Sequence, residues 1–230
     1  MKRGAGVLLP ITSIPSPYGI GTFGAEAFAF VDFLKRAGQT YWQVLPLGPT
    51  SYGDSPYQSF SAFAGNPYFL DLDFFVEQGL LQPEEVESHN WGEDAACVDY
   101  ARIYQERFPV LKKAFDRSNH LQTVAYQEFC NRNRDWLEEY SQYMAIKMHF
   151  EGKSWLEWPR DIRMRKPEAV SQYQNQLSRD ILFWKFCQFV FDQQWKNLKA
   201  YANQQGIQII GDIPIYVALD SADVLSLIHI

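Results

Sequence analysis

The chain has 230 residues, 47% of them apolar and 21% charged, with a formal net charge of −6. This length and composition suit a folded chain with a sizeable core and exclude a disordered one. The acidic balance and the lack of any Lys/Arg-rich run argue against nucleic acid or an anionic membrane as partner.

Met1-Lys2-Arg3 leads into the apolar run Gly4 to Ile11, too short to span a bilayer and unlike a secretion signal, so a cytoplasmic protein is expected. Val7 to Ile11 reads as a strand. Gly24 to Ala37 then shows Ala27, Phe30, Val31 and Leu34 at helical spacing before Gly38, a glycine placed to cap the helix end. Tyr41 to Leu47 is apolar again. Strand, helix and strand with short connections form the unit of a parallel sheet, and continuous rather than alternating apolar runs predict strands buried on both faces.

From Phe74 to Gln205 the pattern becomes mainly helical. Pro83-Glu84-Glu85-Val86 has the form of a helix start, and Tyr100 to Phe115, Asp135 to Phe150 and Arg179 to Asn203 carry a helical period. The last of these is apolar almost all round, which calls for burial on several sides. Its Lys185, Gln188, Asp192 and Gln193 exclude a membrane span. Asn203-Gln-Gln-Gly206 ends it, and Ile207 to Val217 returns to strand character.

Cys97, Cys130 and Cys187 are odd in number, far apart and without a CxxC pair, so neither a disulfide framework nor a zinc site is expected. His89, His120 and His149 lack the spacing of metal ligands or of a triad, which favours surface or packing roles. Nothing in the sequence calls for a metal or an organic cofactor.

The most informative stretch is Gly48 to Tyr68, GPTSYGDSPYQSFSAFAGNPY. Glycines 48, 53 and 65 and prolines 49, 56 and 67 impose a shaped backbone. Tyr52, Tyr57, Phe60 and Phe63 alternate with Ser51, Asp54, Ser55, Gln58 and Ser59. Such a mixture suits a sugar ring, whose C–H faces pack on aromatic planes and whose hydroxyls need hydrogen-bond partners. Composition alone leans toward a turn-rich connection whose aromatics fill a core. Trp155 and Trp158, three residues apart, point to packing rather than sugar stacking.

Leu45 to Tyr68 closely resembles the signature of the 4-α-glucanotransferases, the amylomaltase or disproportionating enzymes. Gly4 to Gly21 resembles that family's first strand and loop, Gly211-Asp-Ile-Pro-Ile-Tyr-Val217 its third barrel strand, and Trp155-Leu-Glu-Trp-Pro159 a further landmark. The resemblance implies an α/β fold, an incomplete (β/α)8 TIM barrel represented by its first three strands, with a large helical insertion between the second and third. It divides the chain into the start of the barrel at 1–73, the insertion over the C-terminal face of the barrel at 74–205, the third strand and following loop at 206–224, and a tail at 225–230.

The implied activity is transfer of an α-1,4-glucan segment to the 4-hydroxyl of glucose or a maltooligosaccharide, by retaining double displacement. That chemistry needs a carboxylate nucleophile and a carboxylic acid/base roughly 5 to 5.5 Å apart. In the family these groups and a third carboxylate follow later strands, and none has a counterpart here. Asp212 matches an aspartate that supports the active site. Ser55 and Tyr57 match positions lining the sugar subsites, while Tyr52 and Tyr100 match a second, remote glucan groove of some members.

After Asp220-Ser-Ala-Asp-Val224 the family continues with tryptophan, whereas Leu225-Ser-Leu-Ile-His-Ile230 resembles an adapter- or vector-derived ending. A chain ending there is expected to be inactive alone and prone to associate through an open sheet edge. A non-catalytic glucan-binding protein and an α-glucan hydrolase are the alternatives.

Overall fold

The structure is a computed structural model that describes residues 3–50, 53–94 and 96–227. In chain order its elements are β1 (Gly6–Leu8), α1 (Ala25–Arg36), β2 (Tyr41–Gln43), α2 (Asp73–Glu77), α3 (Glu84–Glu87), α4 (Tyr100–Arg117), α5 (Val124–Arg132), α6 (Arg134–His149), α7 (Arg160–Arg163), α8 (Pro167–Gln176), α9 (Ser178–Gln204), β3 (Gln208–Ile210) and α10 (Ala222–Leu227). The chain separates into two compact units. One takes the described residues of Met1–Leu47, Asn66–Ser118 and Val190–Ile213, and the other those of Gly48–Gly65, Asn119–Phe189 and Pro214–Ile230. No helix among the described residues is long and apolar enough to cross a membrane.

The first unit is organised by a parallel sheet of order β1-β2-β3, with Val7, Trp42 and Ile209 in register. Trp42, on the middle strand, is 0% exposed. Its indole N–H donates to the Leu9 carbonyl at 2.8 Å, and its ring meets Phe30 of α1 at 5.1 Å between centroids. Gly6 is required where the strands meet, because a Cβ there would lie 2.6 Å from the Tyr41 carbonyl oxygen.

Helix α1 buries Ala27, Val31 and Leu34, the face that its helical spacing predicts. It ends on Gly38 at φ +67°, with Gly38 N–H donating to Lys35 O and Gln39 N–H to Leu34 O. The pair of bonds is a Schellman cap, for which glycine supplies the left-handed conformation. Gly206, at φ +82°, closes α9 in the same way through Asn203 O and Ala202 O. Helix α1 docks on the end of α9 through Asp32, which accepts from the Tyr201 hydroxyl at 2.6 Å.

The strands are shorter than predicted. The run 7–11 contributes only its start to β1, because Pro10 has no N–H for a ladder and Ile11 opens a 3-10 turn. Pairing along β2 goes one residue further, as Val44 N–H donates to Ile210 O at 3.0 Å, before Pro46. Only three residues of the predicted strand 207–217 form β3. Burial on both faces also fails for the outer strands. Leu8 is 54% and Ile210 44% exposed, since β1 and β3 are both edges of a three-stranded sheet.

The second unit is helical, built from α5 to α8, the first part of α9 and α10. Trp155 and Trp158 are buried, and each indole N–H donates to a backbone carbonyl, Leu219 O at 2.7 Å and Lys153 O at 3.2 Å. Both therefore pack, as their spacing predicts. His120 is buried against the rings of Tyr126 and Phe186, and Cys187 is also buried. All three cysteines are free.

Two outcomes are expected. Trp42→Ala removes the filled centre of the sheet and should lower unfolding stability by about 3–5 kcal/mol in a urea titration. Burial pushes the His120 imidazole down to about 4 from its usual 6.5. The unfolded chain therefore takes up this proton first, so the His120 contribution is complete above about pH 6.5 and is lost as pH falls toward 4. Denaturation midpoints measured across that window should fall less steeply in His120→Leu.

Candidate functional site

The second unit contains the loop Gly48–Gly65. Thr50 and Ser59 form an antiparallel bridge that closes its base. The buried Ser59 hydroxyl lies 2.8 Å from the carbonyl oxygens of Pro49 and Ser61. Gly48 leaves room for it, since a Cβ there would come within 2.8 Å of Ser59 Oγ. Beyond this base the chain turns through Gly53 at φ +91° and Asp54 at φ +56°. Positive φ is easy for glycine and tolerated by aspartate, so the turn is shaped by its sequence.

Ser55 and Tyr57 stand together on that turn. Tyr57 N–H donates to Ser55 Oγ at 3.3 Å, and Gln58 N–H donates to Ser55 O at 3.1 Å. Tyr57 is 46% exposed, which leaves much of its ring surface accessible, and Ser55 is half-buried. Burial raises the neighbouring Asp54 carboxyl above its ordinary range. Phe63 is exposed and stacks on Trp136 with 17° between ring planes, whereas Phe60 packs on Tyr143. The aromatics are therefore divided between presentation and packing.

The loop is held from its own unit by side chains distant in sequence. Gln188 of α9, itself buried, donates to Gly65 O at 2.8 Å and accepts from Gly65 N–H at 2.7 Å. Segment 220–223 supplies further ties. Asp220 accepts from the Tyr143 hydroxyl at 2.7 Å, from Lys147 Nζ at 2.6 Å and from Trp155 N–H at 3.1 Å. The same ammonium lies 4.9 Å from the Phe60 ring centroid, so one cation serves a carboxylate and an aromatic face. Burial first, and then the Asp220 charge, push the Tyr143 hydroxyl far above its usual range, keeping it a donor.

Asp212 and Tyr100 belong to the first unit. Asp212 follows β3 by two residues and is half-buried; its Oδ1 accepts from Ile213 N–H at 2.8 Å. Tyr100 opens α4, next to the cap residue Asp99, whose carboxylate accepts from Arg102 N–H at 3.1 Å. Tyr52 lies outside the described residues. Among the described residues no cluster of three or more His, Cys, Asp or Glu is arranged to hold a metal ion.

The sequence does not mark Gln188, Tyr143, Lys147, Asp220 and Asp223 as parts of this loop's support. One signal was present: a glutamine within an otherwise apolar helix has to satisfy its amide, and therefore marks a buried partner.

A parallel sheet of β1, β2 and β3 with helices between its strands defines an α/β protein. The chain belongs to the 4-alpha-glucanotransferase family, whose model matches residues 9–229. It is 52% identical to the 4-alpha-glucanotransferase of Streptococcus pneumoniae over 231 aligned positions, covering 100% of this chain and 46% of that protein. It is 51% identical to the one from Clostridium butyricum, covering 94% and 44%. The solved amylomaltase from Streptococcus agalactiae in complex with acarbose is 44% identical, with a TM-score of 0.93 over 98% of this chain and 46% of that one. Amylomaltase from Corynebacterium glutamicum, 18% identical with a TM-score of 0.73, shares the fold. The chain thus spans less than half the length of these relatives.

Gln188→Leu keeps the volume of the side chain but leaves both polar groups of Gly65 unpaired. Loss of two buried hydrogen bonds is expected to cost about 2 kcal/mol, seen as a lower melting temperature by calorimetry.

Proposed function

We propose that this chain is the N-terminal part of a 4-α-glucanotransferase, an enzyme that moves an α-1,4-glucan segment onto the 4-hydroxyl of glucose or a maltooligosaccharide. The identity of 52% to a protein of that name, sustained along the whole chain, carries this reading. In it, the sheet is the opening of a (β/α)8 barrel, residues 74–205 are a helical insertion at the barrel's C-terminal face, and 206–224 carry the third strand and its loop. The two exposed sheet edges and the exposed Ile215 (85%) and Tyr216 (83%) support this, because further strands and helices would cover them.

The proposed roles follow from the chemistry on the turn. The Ser55 hydroxyl can donate to and accept from sugar hydroxyls, and the Tyr57 ring can cover the C–H face of a glucose. Asp212, placed just after a strand end, supports the reacting groups. Tyr100 belongs to a second glucan site. The nucleophile and acid/base of the retaining double displacement belong to the portion of the relatives that this chain does not span. Its action on α-glucans therefore requires the longer protein.

The test is a full-length form in which the chain is continued by the remaining part of the Streptococcus pneumoniae relative. Incubated with maltotriose, it should yield glucose together with oligomers longer than maltotriose. Shorter sugars alone would identify a hydrolase and overturn the transfer reading. Tyr57→Ala in this form should lower kcat/KM about tenfold, the scale of one aromatic contact.

A further inference from the structure

We infer that Asp223 is a positioning residue for the Ser55–Tyr57 turn, acting through the three residues that follow the turn's closing bridge. The inference rests on the sugar-facing role proposed for that turn. Asp223 Oδ2 accepts from Ala62 N–H at 2.7 Å, and Oδ1 accepts from the Ser61 hydroxyl at 3.4 Å. One residue earlier, Ala222 N–H donates to Phe60 O at 2.8 Å. Residues 222–223 thus grip three consecutive loop residues, immediately after the Thr50–Ser59 bridge.

Ser61 spreads the hold. While its hydroxyl donates to Asp223, its oxygen accepts from Phe63 N–H at 3.1 Å and from Ala64 N–H at 3.3 Å. Charge-assisted bonds to a carboxylate are the stronger kind, so the Asp223 contacts outweigh the neutral ones around them. Burial raises the Asp223 carboxyl, and the hydrogen bonds from Ala62 and Ser61 oppose that rise.

The anchor itself is stiff. Ser221 is fully buried and its hydroxyl accepts from Val224 N–H at 3.2 Å, as the cap of α10. Capping is therefore done by Ser221, and the Asp223 side chain is left for the loop. Asp220 is held at three points by Tyr143, Lys147 and Trp155. Among the described residues, the ties within the turn include the bridge, the Ser59 hydroxyl to Pro49 O, and the bonds from Tyr57 N–H to Ser55 Oγ and from Gln58 N–H to Ser55 O. A shift of residues 60–62 reaches Ser55 and Tyr57 through Ser59 and the bridge, and weakens their hold on the sugar.

The experiment uses the full-length form with Asp223→Ala, Asp223→Asn and Ser61→Ala, each alone and with Tyr57→Ala. Asp223→Ala should raise the KM for maltotriose about tenfold with kcat within about twofold, and should speed amide hydrogen exchange at residues 57–62. Asp223→Asn keeps an acceptor for Ala62 N–H and should recover most of the lost affinity. On a Tyr57→Ala background, Asp223→Ala should raise KM less than it does alone, because part of its effect is exerted through the Tyr57 contact.

Unchanged KM or unchanged exchange in Asp223→Ala, or effects that multiply independently of Tyr57, would overturn the inference. If Asp223→Ala does not fold, Ser61→Ala takes its place with the same criteria. A Tyr57→Ala form with unaltered KM removes the sugar role of the turn itself, a failure distinct from faster exchange without a KM effect, which sinks only the positioning role.

Discussion

A buried, irregular chain segment has to hydrogen-bond its backbone to something other than a helix or sheet, and this requirement governs the molecule. Between Val44 and Leu72 the described residues form the Thr50–Ser59 bridge and a 3-10 turn at Pro67–Phe69, yet Ala64 through Leu70 are all buried. Unpaired N–H and C=O groups in such a place would each cost about 1–3 kcal/mol. Side chains meet the demand. Gln188 pairs both polar groups of Gly65, and Asn66 accepts from Tyr68 N–H at 3.0 Å. Gln194 does for Asp71 what Gln188 does for Gly65, and the Arg107 guanidinium donates to Leu70 O.

This explains the character of α9. A helix that is apolar nearly all round would be held by hydrophobic burial alone, which is non-directional and would leave the loop's path unspecified. Two buried amides on that helix convert burial into direction, since each fits only one place on the chain it meets. Gln188 serves the unit that carries the loop, and Gln194 serves the unit that carries the sheet. Replacing either by an apolar residue takes the partner from both the N–H and the C=O of the backbone residue it meets.

Two buried cations, Arg107 and Lys147, each sit beside an acceptor and an aromatic ring. Arg107 is fully buried, and burial lowers its guanidinium to about 10 while nearby Asp71 opposes the fall, so it remains a cation at neutral pH. Its plane also sits 5.9 Å from the Trp91 ring centroid. Lys147 is balanced by Asp220 and by the Phe60 ring. A buried ion of this kind adds little net stability, but removing one partner is costly, and so it specifies one arrangement of the loop and the segment after β3.

What the sequence by itself determined is local. The helical period of α1, α4, α6 and α9, the glycine caps at Gly38 and Gly206, the packing of Trp155 and Trp158, and the shaped turn with Ser55 and Tyr57 each depend on residues only a few positions apart. The resemblance along Leu45–Tyr68 added the family, because that motif is long and nearly uninterrupted. Strand lengths and the exposure of β1 and β3 were not legible, since they depend on which neighbours complete a sheet. Nor were Gln188, Asp220 and Asp223, whose partners lie 123 residues away for Gly65 and Gln188 and 161 for Ala62 and Asp223. Only the tertiary structure decided those pairings: a buried polar group takes whatever partner the packing of α9 and α10 brings within about 3 Å, and no sequence period records that meeting.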